Sequence, residues 1–154
     1  MKDTVIVGDP NRGQITLDDF EFGLAVEAPV NGGMFDALIG LAYPQFAHEG
    51  ITPFFDALIQ RRVLKKNIFS MYMSQRLHNR SEILFGDIHH GVYTGNIQYH
   101  DVVDQRFFAL NLDDVLLDGK STGFCKKAKV PCRAAPDSGS TSFGVPAEFK
   151  QVID

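Results

Sequence analysis

Residues 35–44 read FDALIGLAYP, a short apolar segment that one glycine interrupts. The run Leu38-Ile39-Gly40-Leu41 predicts a strand, because short continuous apolar runs are typical of strands that are buried on both faces. A glycine inside such a run predicts a close approach by another backbone. We therefore expect this run to form a buried strand.

A helix is predicted shortly after this segment. Thr52 is suited to the N-cap and Pro53 to the first helical position. Phe54 and Leu58 are four residues apart, as is typical of the apolar face of a helix. Positive charge towards the C-terminal end would complement the helix dipole. The residues that supply this charge are Arg61, Arg62, Lys65 and Lys66.

The other predicted elements are mostly strands. Their signal is a run of apolar or alternating residues bounded by Gly, Pro, Asn or Asp. The predicted strands are residues 4–9, 20–26, 67–73, 82–88, 99–103 and 107–117, with a turn at 9–13. Asp118-Gly119 predicts a hairpin turn, and Val145-Pro146 predicts the start of a second helix. The sequence thus predicts a mostly β architecture with few short helices.

The composition is that of a globular protein and argues against several classes of partner. Of the 154 residues, 44% are hydrophobic and 22% are charged, which argues against a disordered or collagenous chain. The net charge of -4 argues against nucleic acid as a partner, because phosphate binding needs clustered Lys and Arg. No apolar run approaches the length that crosses a bilayer, so we expect no membrane span. Residues 1–5 show no apolar core of a signal peptide.

The two cysteines leave two interpretations open. Six residues lie between Cys125 and Cys132, a spacing that suits either two unrelated thiols or a short disulfide loop. A disulfide would imply an oxidising compartment. The glycosylation sequon Asn79-Arg80-Ser81 points the same way, although chance produces one in many chains of this length.

The segment with the most chemical content is Asp137-Ser138-Gly139-Ser140-Thr141. An Asp-Ser-Gly triplet is commonly a turn, in which Asp accepts bonds from nearby backbone N–H groups and Gly permits positive φ. A chance match to the pattern Asp-Ser/Thr-Gly-Ser/Thr has odds of about one in ten in a chain of this length. The motif therefore needs support from the rest of the sequence.

Four further segments give that support, because each resembles a motif of the pepsin-like aspartic proteases and all stand in the order of that family. They are FDALIGLAYP at 35–44, TPFFD at 52–56, NIFSMY at 67–72 and YTGNI at 93–97. Cys125 and Cys132 stand where the family has a short disulfide loop, just before its second catalytic motif. The resemblance covers essentially the whole chain. The Asp-Ser-Gly form, followed by Val145-Pro146, is most similar to the apicomplexan plasmepsin-type branch.

The resemblance implies a bilobal pepsin-like fold that is truncated at both ends. Residues 1–90 would be the remainder of the N-terminal lobe after the flap, together with the start of the inter-lobe sheet. Residues 91–154 would be the first part of the C-terminal lobe. The first Asp-Thr/Ser-Gly motif and the flap tyrosine would lie upstream of residue 1. Pro136 stands where the family usually has an aliphatic residue within a strand, and Pro removes a ladder hydrogen bond there.

The resemblance also implies an aspartic endopeptidase mechanism with two aspartates. Two carboxyl groups at short range cannot both be ionised, because their negative charges repel, so the pair shares one proton. One carboxylate then acts as general base on a water, while its protonated partner polarises the scissile carbonyl. Asp137 would be the aspartate of the C-terminal lobe, and Ser138 would support it. The residues implied to bind substrate are Phe35 and Leu38 in the pocket before the cleaved bond, Phe107 on the leaving-group side, and Gly139, Ser140 and Thr141.

The implied partners are peptide or protein substrates and the missing half of the site from the N-terminal lobe. Without that half, we expect this chain alone to be inactive. No cofactor is implied. The family's disulfide loop implies the secretory pathway, that is, a vacuolar, lysosome-like or extracellular location.

Four other hypotheses compete with this one, and the sequence disfavours three of them. A non-catalytic pepsin-like module that binds peptides or proteins would fit the absence of the partner aspartate from this chain and the presence of Pro136. A retroviral-type homodimer would need more sequence after Asp137. A metal site at His89, His90 and His100 is disfavoured, because adjacent residues of a strand point to opposite faces and no carboxylate stands at ligand spacing. A serine nucleophile would need a Gly-x-Ser-x-Gly elbow, which this chain lacks.

Overall fold

The computed structural model describes residues 1–11, 13–25, 36–75, 81–128 and 130–147. The chain divides into two compact units, Met1–Ile97 and Gln98–Asp154. Strands outnumber helices in the described residues, and the helices are short, so the mostly β prediction is confirmed. No helix in these described ranges is long and apolar enough to cross a bilayer.

The first unit begins with an antiparallel hairpin of β1 (Lys2–Asp9) and β2 (Gly13–Glu21). Gly8 has a φ of 113°, and a Cβ on it would lie 2.3 Å from the carbonyl oxygen of Gly13, so only glycine fits there. The strand predicted at residues 20–26 is wrong in its position. Pairing with β1 fixes the register of β2, and the ladder ends where Glu21 pairs with Lys2.

Helix α1 (Phe54–Gln60) packs on this hairpin and forms the main core with it. Phe54 and Leu58 are buried together with Leu17 of β2. The prediction of an N-cap at Thr52 is wrong by one residue. Pro53 takes that position with an extended ψ of 154°, and its carbonyl accepts the first helical bond, from Ala57 N at 2.9 Å.

The predicted basic residues stand at and beyond the C-terminal end of α1, where Arg61 is the C-cap. Arg61 donates hydrogen bonds to the carbonyl oxygens of Asp18 and Asp19 near the end of β2. Lys66 forms an ion pair with Asp87 at 3.3 Å. These side chains therefore connect the end of the helix and the segment after it to neighbouring parts of the first unit.

The run 38–41 does not form the predicted buried strand. Leu38 is 81% exposed, and a Cβ on Gly40 would meet nothing within 4 Å. Leu41 alone of this run packs against the core. The prediction fails because no described strand pairs with these residues, and an unpaired run cannot bury both faces.

A second antiparallel pair in the first unit joins β3 (Phe69–Tyr72) to β4 (Glu82–Phe85), with Phe69 opposite Phe85. The strand predicted at 67–73 is confirmed at its centre and the strand predicted at 82–88 in its first four residues, so both are shorter than predicted. Phe85 also packs edge-on against Phe54, with ring centroids 5.6 Å apart. This contact connects the second pair of strands to the helix.

The second unit contains two very short ladders. β5 (Leu110–Asn111) pairs with β8 (Arg133–Ala134), and β6 (Leu116–Leu117) pairs with β7 (Lys120–Ser121). The predicted hairpin at Asp118-Gly119 is confirmed. Both residues have positive φ, 49° and 74°, as a type I′ turn requires.

The other strands predicted in the second unit differ from those in the structure. The single strand predicted at 107–117 is split between β5 and β6, and residues 99–103 form no strand. A short helix, α2 (Phe124–Lys127), precedes β8. The second helix predicted from residue 145 falls largely on residues outside the described ranges.

Large apolar side chains are exposed in both units, although each unit has buried residues. Ala109 and Phe124 are buried in the second unit, whereas Phe143 is 96% exposed.

The core of the first unit is tested by Leu58→Ala. Leu58 is fully buried, so we expect the free energy of unfolding to fall by about 2–5 kcal/mol in urea denaturation. Leu116→Ala is the matched control. Leu116 is 59% exposed, and its replacement should change the free energy of unfolding by no more than about 0.5 kcal/mol. Equal effects of the two substitutions would contradict the assignment of the core.

Candidate active site

Asp137 lies in an exposed turn four residues beyond Arg133, the first residue of β8. Its Oδ1 accepts a hydrogen bond from the backbone N–H of Gly139 at 2.9 Å. Its Oδ2 accepts one from the hydroxyl of Ser140 at 2.6 Å. The bond from an N–H two residues ahead is that of an Asx turn, so the Asp-Ser-Gly sequence dictates this geometry locally.

These two hydrogen bonds favour the charged carboxylate. The Ser140 hydroxyl, and after it the Gly139 N–H, lowers the pKa of Asp137 from its ordinary value of 3.8. Each carboxylate oxygen has two lone pairs, so both can still accept a further bond from a water. The turn therefore presents an ionised, solvent-accessible carboxylate.

The resemblance to the family predicts that the hydroxyl of Ser138 supports the Asp137 carboxylate. In the structure, the hydroxyl that contacts the carboxylate is that of Ser140, to which the sequence assigned substrate binding. Ser138 and Thr141 lie on the exposed surface of the same turn. The spacing explains the difference, because the turn brings the residue three positions ahead back towards the aspartate, as the bond from Ser140 N to Asp137 O at 3.4 Å also shows.

Pro136 does not interrupt a strand in this structure. β8 ends at Ala134, and residues 135–137 have no strand pairing. The missing N–H of Pro136 therefore removes no ladder bond, and the turn at Asp137 forms beyond the strand end.

Of the site residues predicted from the sequence, the structure brings Asp137, Gly139 and Ser140 together. Phe107 is 40% exposed, in a loop of the same unit, and its N–H donates to Asp104 O at 3.3 Å. Leu38 belongs to the other unit and is exposed. Phe35 lies outside the described residues.

Cys125 and Cys132 form a disulfide, which decides between the two interpretations of their spacing. The bond joins α2 to the residue before β8. Cys132 also accepts a hydrogen bond from Leu112 N at 3.0 Å, which extends the pairing of β8 with β5. The disulfide thus restrains the segment that leads to Asp137.

An ion-pair cluster near β8 is a feature that the sequence analysis missed. Asp104 accepts hydrogen bonds from Arg106 Nε at 3.0 Å and Nη2 at 2.7 Å, and from Arg133 Nη1 at 3.2 Å. Arg106 lowers the pKa of Asp104 to about 2, and the charge of Arg133 acts in the same direction. The spacing of Asp104 and Arg106 could have suggested their pairing, but Arg133 is 29 residues away from Asp104 in sequence.

The histidines have separate partners. His89 Nδ1 contacts the carboxylate of Glu82, and His90 Nδ1 lies 2.7 Å from the hydroxyl of Tyr93. Within the described ranges, no group of three or more His, Cys, Asp or Glu residues is arranged to hold a metal ion. A cavity of about 240 Å³ in the first unit adjoins the Glu82–His89 pair.

Comparison with known proteins identifies the family. Residues 1–153 match the family model of the eukaryotic aspartyl proteases. The chain belongs to this family. Its mostly β structure with few short helices is consistent with part of a pepsin-like fold.

Relatives in this family include a pepsin and gastricsins by name. Pepsin-2B of Gadus morhua is 33% identical over 150 residues, which cover 94% of this chain and 43% of that protein. Gastricsin of Suncus murinus is 30% identical over 138 residues, which cover 86% of this chain and 35% of that protein. Gastricsin of Homo sapiens is 27% identical and covers 90% of this chain. The chain thus spans less than half the length of these aspartyl proteases. Membership of the plasmepsin-type branch stays a prediction.

The hydrogen bond from Ser140 gives a prediction for the pKa of Asp137. Ser140→Ala removes the largest cause of the lowered pKa, so we expect the pKa to rise towards 3.8 in a carbon-13 NMR titration of the carboxyl group. Ionised Asp137 contributes stability above pH 3.8, and this contribution is lost as the pH falls through the pKa of the folded state. Ser140→Ala should therefore be less stable above that pH and equally stable well below it. Ser138→Ala is the control, and an equal rise in that variant would contradict the assignment.

The disulfide gives a prediction for stability. Replacing both cysteines by serine frees a short loop in the unfolded chain, so we expect the free energy of unfolding to fall by about 2–3 kcal/mol. Urea denaturation measures the change. An excess of reductant should lower the stability of the unsubstituted aspartyl protease chain and leave the serine variant unchanged. The same stability of both in oxidising buffer would contradict this role.

Proposed function

We propose that the full-length protein that contains this chain is an aspartic endopeptidase and that Asp137 is one of its two catalytic aspartates. The observation that supports this most is the turn at Asp137. Gly139 and Ser140 hold an exposed carboxylate in its charged form, within a chain of the eukaryotic aspartyl protease family. An ionised carboxylate in contact with solvent is suited to act as a general base on water.

The mechanism needs a second aspartate, which the N-terminal lobe would supply. Two carboxylates that share a site also share one proton. Because two hydrogen bonds stabilise the charge of Asp137, the proton would reside on the partner. Asp137 takes a proton from a water molecule, and the oxygen of that water bonds to the carbon of the scissile carbonyl. The protonated partner aspartate polarises this carbonyl. The C–N bond then breaks as the leaving nitrogen receives a proton from the pair.

The substrates would be peptides or proteins. From the resemblance to the family, we assign Phe107 to the leaving-group side, and Leu38 and Phe35 to the pocket before the cleaved bond. Leu38 and Phe107 are exposed apolar side chains, which are suited to contact those of a peptide. Gly139 and Thr141 would contact the substrate near Asp137. Ser140, which bonds the carboxylate, would act mainly as its support.

The two compact units support a division into lobes. We propose that residues 1–90 belong to the N-terminal lobe and the start of the inter-lobe sheet, and residues 91–154 to the C-terminal lobe. Because the chain spans 35% to 43% of the relatives' length, the partner aspartate would come from sequence outside it, and the chain alone would be inactive. The Cys125–Cys132 disulfide supports a location in the secretory pathway.

A second candidate function is peptide binding without cleavage. The observation that favours it is the end of β8 at Ala134, which leaves Asp137 on a turn instead of a paired strand. In such a protein the carboxylate would only accept hydrogen bonds from a bound peptide. Binding of an apolar peptide by the full-length protein, with no cleavage over a wide pH range, would favour this candidate.

The catalytic assignment is tested by Asp137→Asn in the full-length protein. General acid–base catalysis contributes about 10²–10⁴-fold, so we expect cleavage of a peptide substrate to fall by about 10³-fold or more. Pepstatin-type inhibitors should block the unsubstituted protein. Asp101→Asn is the matched control, because Asp101 is an exposed aspartate of the same unit, and it should cleave normally.

Undiminished cleavage by Asp137→Asn would exclude Asp137 from the dyad. Cleavage that persists in pepstatin-type inhibitors would argue against the whole mechanism.

A further inference from the structure

We propose that Arg133 and Asp104 are positioning residues for Asp137, because their ion pair fixes the strand that leads to Asp137 against the loop that carries Phe107. This inference rests on the proposed function and adds a role that the family motifs do not assign. Neither side chain is placed at the reacting groups. Both would act through the backbone segments to which they belong.

The first step of the argument is the weak regular structure of the segment before Asp137. β8 is two residues long, and its ladder with β5 pairs Arg133 with Asn111 and Ala134 with Leu110. So short a ladder holds its strand weakly. The contact from Arg133 to Asp104 adds a restraint that reaches across 29 residues of sequence.

The second step is the rigidity of the loop that Arg133 contacts. Asp104 forms a β-bridge with Ala109, the residue before β5, and Val103 N donates to Ala109 O at 2.8 Å. Phe107 N donates to Asp104 O at 3.3 Å inside this loop. Residues 104–109 therefore form a compact, hydrogen-bonded turn that Asp104 closes. A side chain that contacts the Asp104 carboxylate is thereby attached to this turn.

The third step is the strength of the cluster. Isolated surface ion pairs stabilise little, whereas bidentate contacts and networks are the exceptions. Arg106 holds the Asp104 carboxylate through two side-chain N–H groups and its backbone N–H. The Asp104 side chain is only 17% exposed, so water competes less for its charge. Arg133 thus contacts a carboxylate that is already oriented.

The charge of Asp104 persists in acid. Among the described residues, Arg106 and Arg133 are the charged groups that face it, and its pKa is about 2, below the ordinary value of 3.8. The stability that this carboxylate contributes is therefore complete above pH 3.8 and is lost as the pH falls through about 2. The restraint on β8 would therefore hold in mildly acidic conditions.

The consequence concerns the placement of the catalytic carboxylate. A displacement of about 1 Å at a reacting group can cost up to about 10²-fold in rate. Asp137 follows Arg133 by four residues, so a shift of β8 moves its turn. Loss of the ion pair should then slow the chemical step more than it weakens substrate binding.

The test uses the full-length protein with a peptide substrate. Arg133→Gln should lower kcat about 5–20-fold and change KM less than about twofold. Arg133→Lys should restore most of the loss, because Arg133 gives Asp104 a single N–H contact that an ammonium can replace. Lys120→Gln is the matched control, since it removes an exposed cation of the same unit without touching the cluster, and its kcat should not change.

A double-mutant cycle tests whether Arg133 acts through Asp104. Asp104→Asn should lower kcat by a similar factor, and the double variant Asp104→Asn/Arg133→Gln should be little slower than either single variant. Effects that multiply in the double variant would overturn the proposal. So would an unchanged kcat in Arg133→Gln, or no rescue by Arg133→Lys.

Hydrogen exchange decides the inference even if the proposed function fails. The backbone amides of Gly139 and Ser140 should exchange faster in Arg133→Gln than in the unsubstituted protein and at normal rates in Arg133→Lys and Lys120→Gln. Unchanged exchange in Arg133→Gln would overturn the proposal. Absence of cleavage in the unsubstituted protein, together with the expected exchange, would refute the endopeptidase function and leave the positioning role supported.

Discussion

The segment that carries Asp137 is held in place by a two-residue ladder and by three contacts that supplement it. β8 pairs with β5 only at Arg133 and Ala134. The backbone of Cys132 extends this pairing by one hydrogen bond, its disulfide joins the segment to α2, and Arg133 reaches Asp104. A short ladder resists displacement weakly, so the position of the candidate catalytic carboxylate depends on the sum of these contacts.

The chemistry of Asp137 itself depends on a much smaller part of the molecule. Its charge is stabilised by groups two and three residues ahead, Gly139 N–H and the Ser140 hydroxyl. These two groups lower the pKa of the Asp137 carboxyl from within a single turn. The position of that carboxylate, in contrast, depends on contacts across the second unit. The lowered pKa and the placement of the carboxylate therefore have separate structural origins.

The first unit shows how a small core coexists with an extensive exposed apolar surface. Leu17 and Leu58 are fully buried between the β1–β2 hairpin and α1, and Phe54 and Phe85 pack edge-on beside them. Leu38 remains exposed, as do many other large apolar side chains. The chain spans less than half the length of its pepsin and gastricsin relatives.

Local sequence determined the features whose interactions span only a few residues. Examples are the hairpin turn at Asp118-Gly119, the helix that contains Phe54 and Leu58, and the aspartate turn. Sequence alone could not predict that the run 38–41 is exposed, or that the strand predicted at 107–117 is split, since burial and pairing depend on which segments become neighbours. Tertiary structure alone decided the contact between Arg133 and Asp104. Residues so far apart in sequence meet only after the backbone between them has folded.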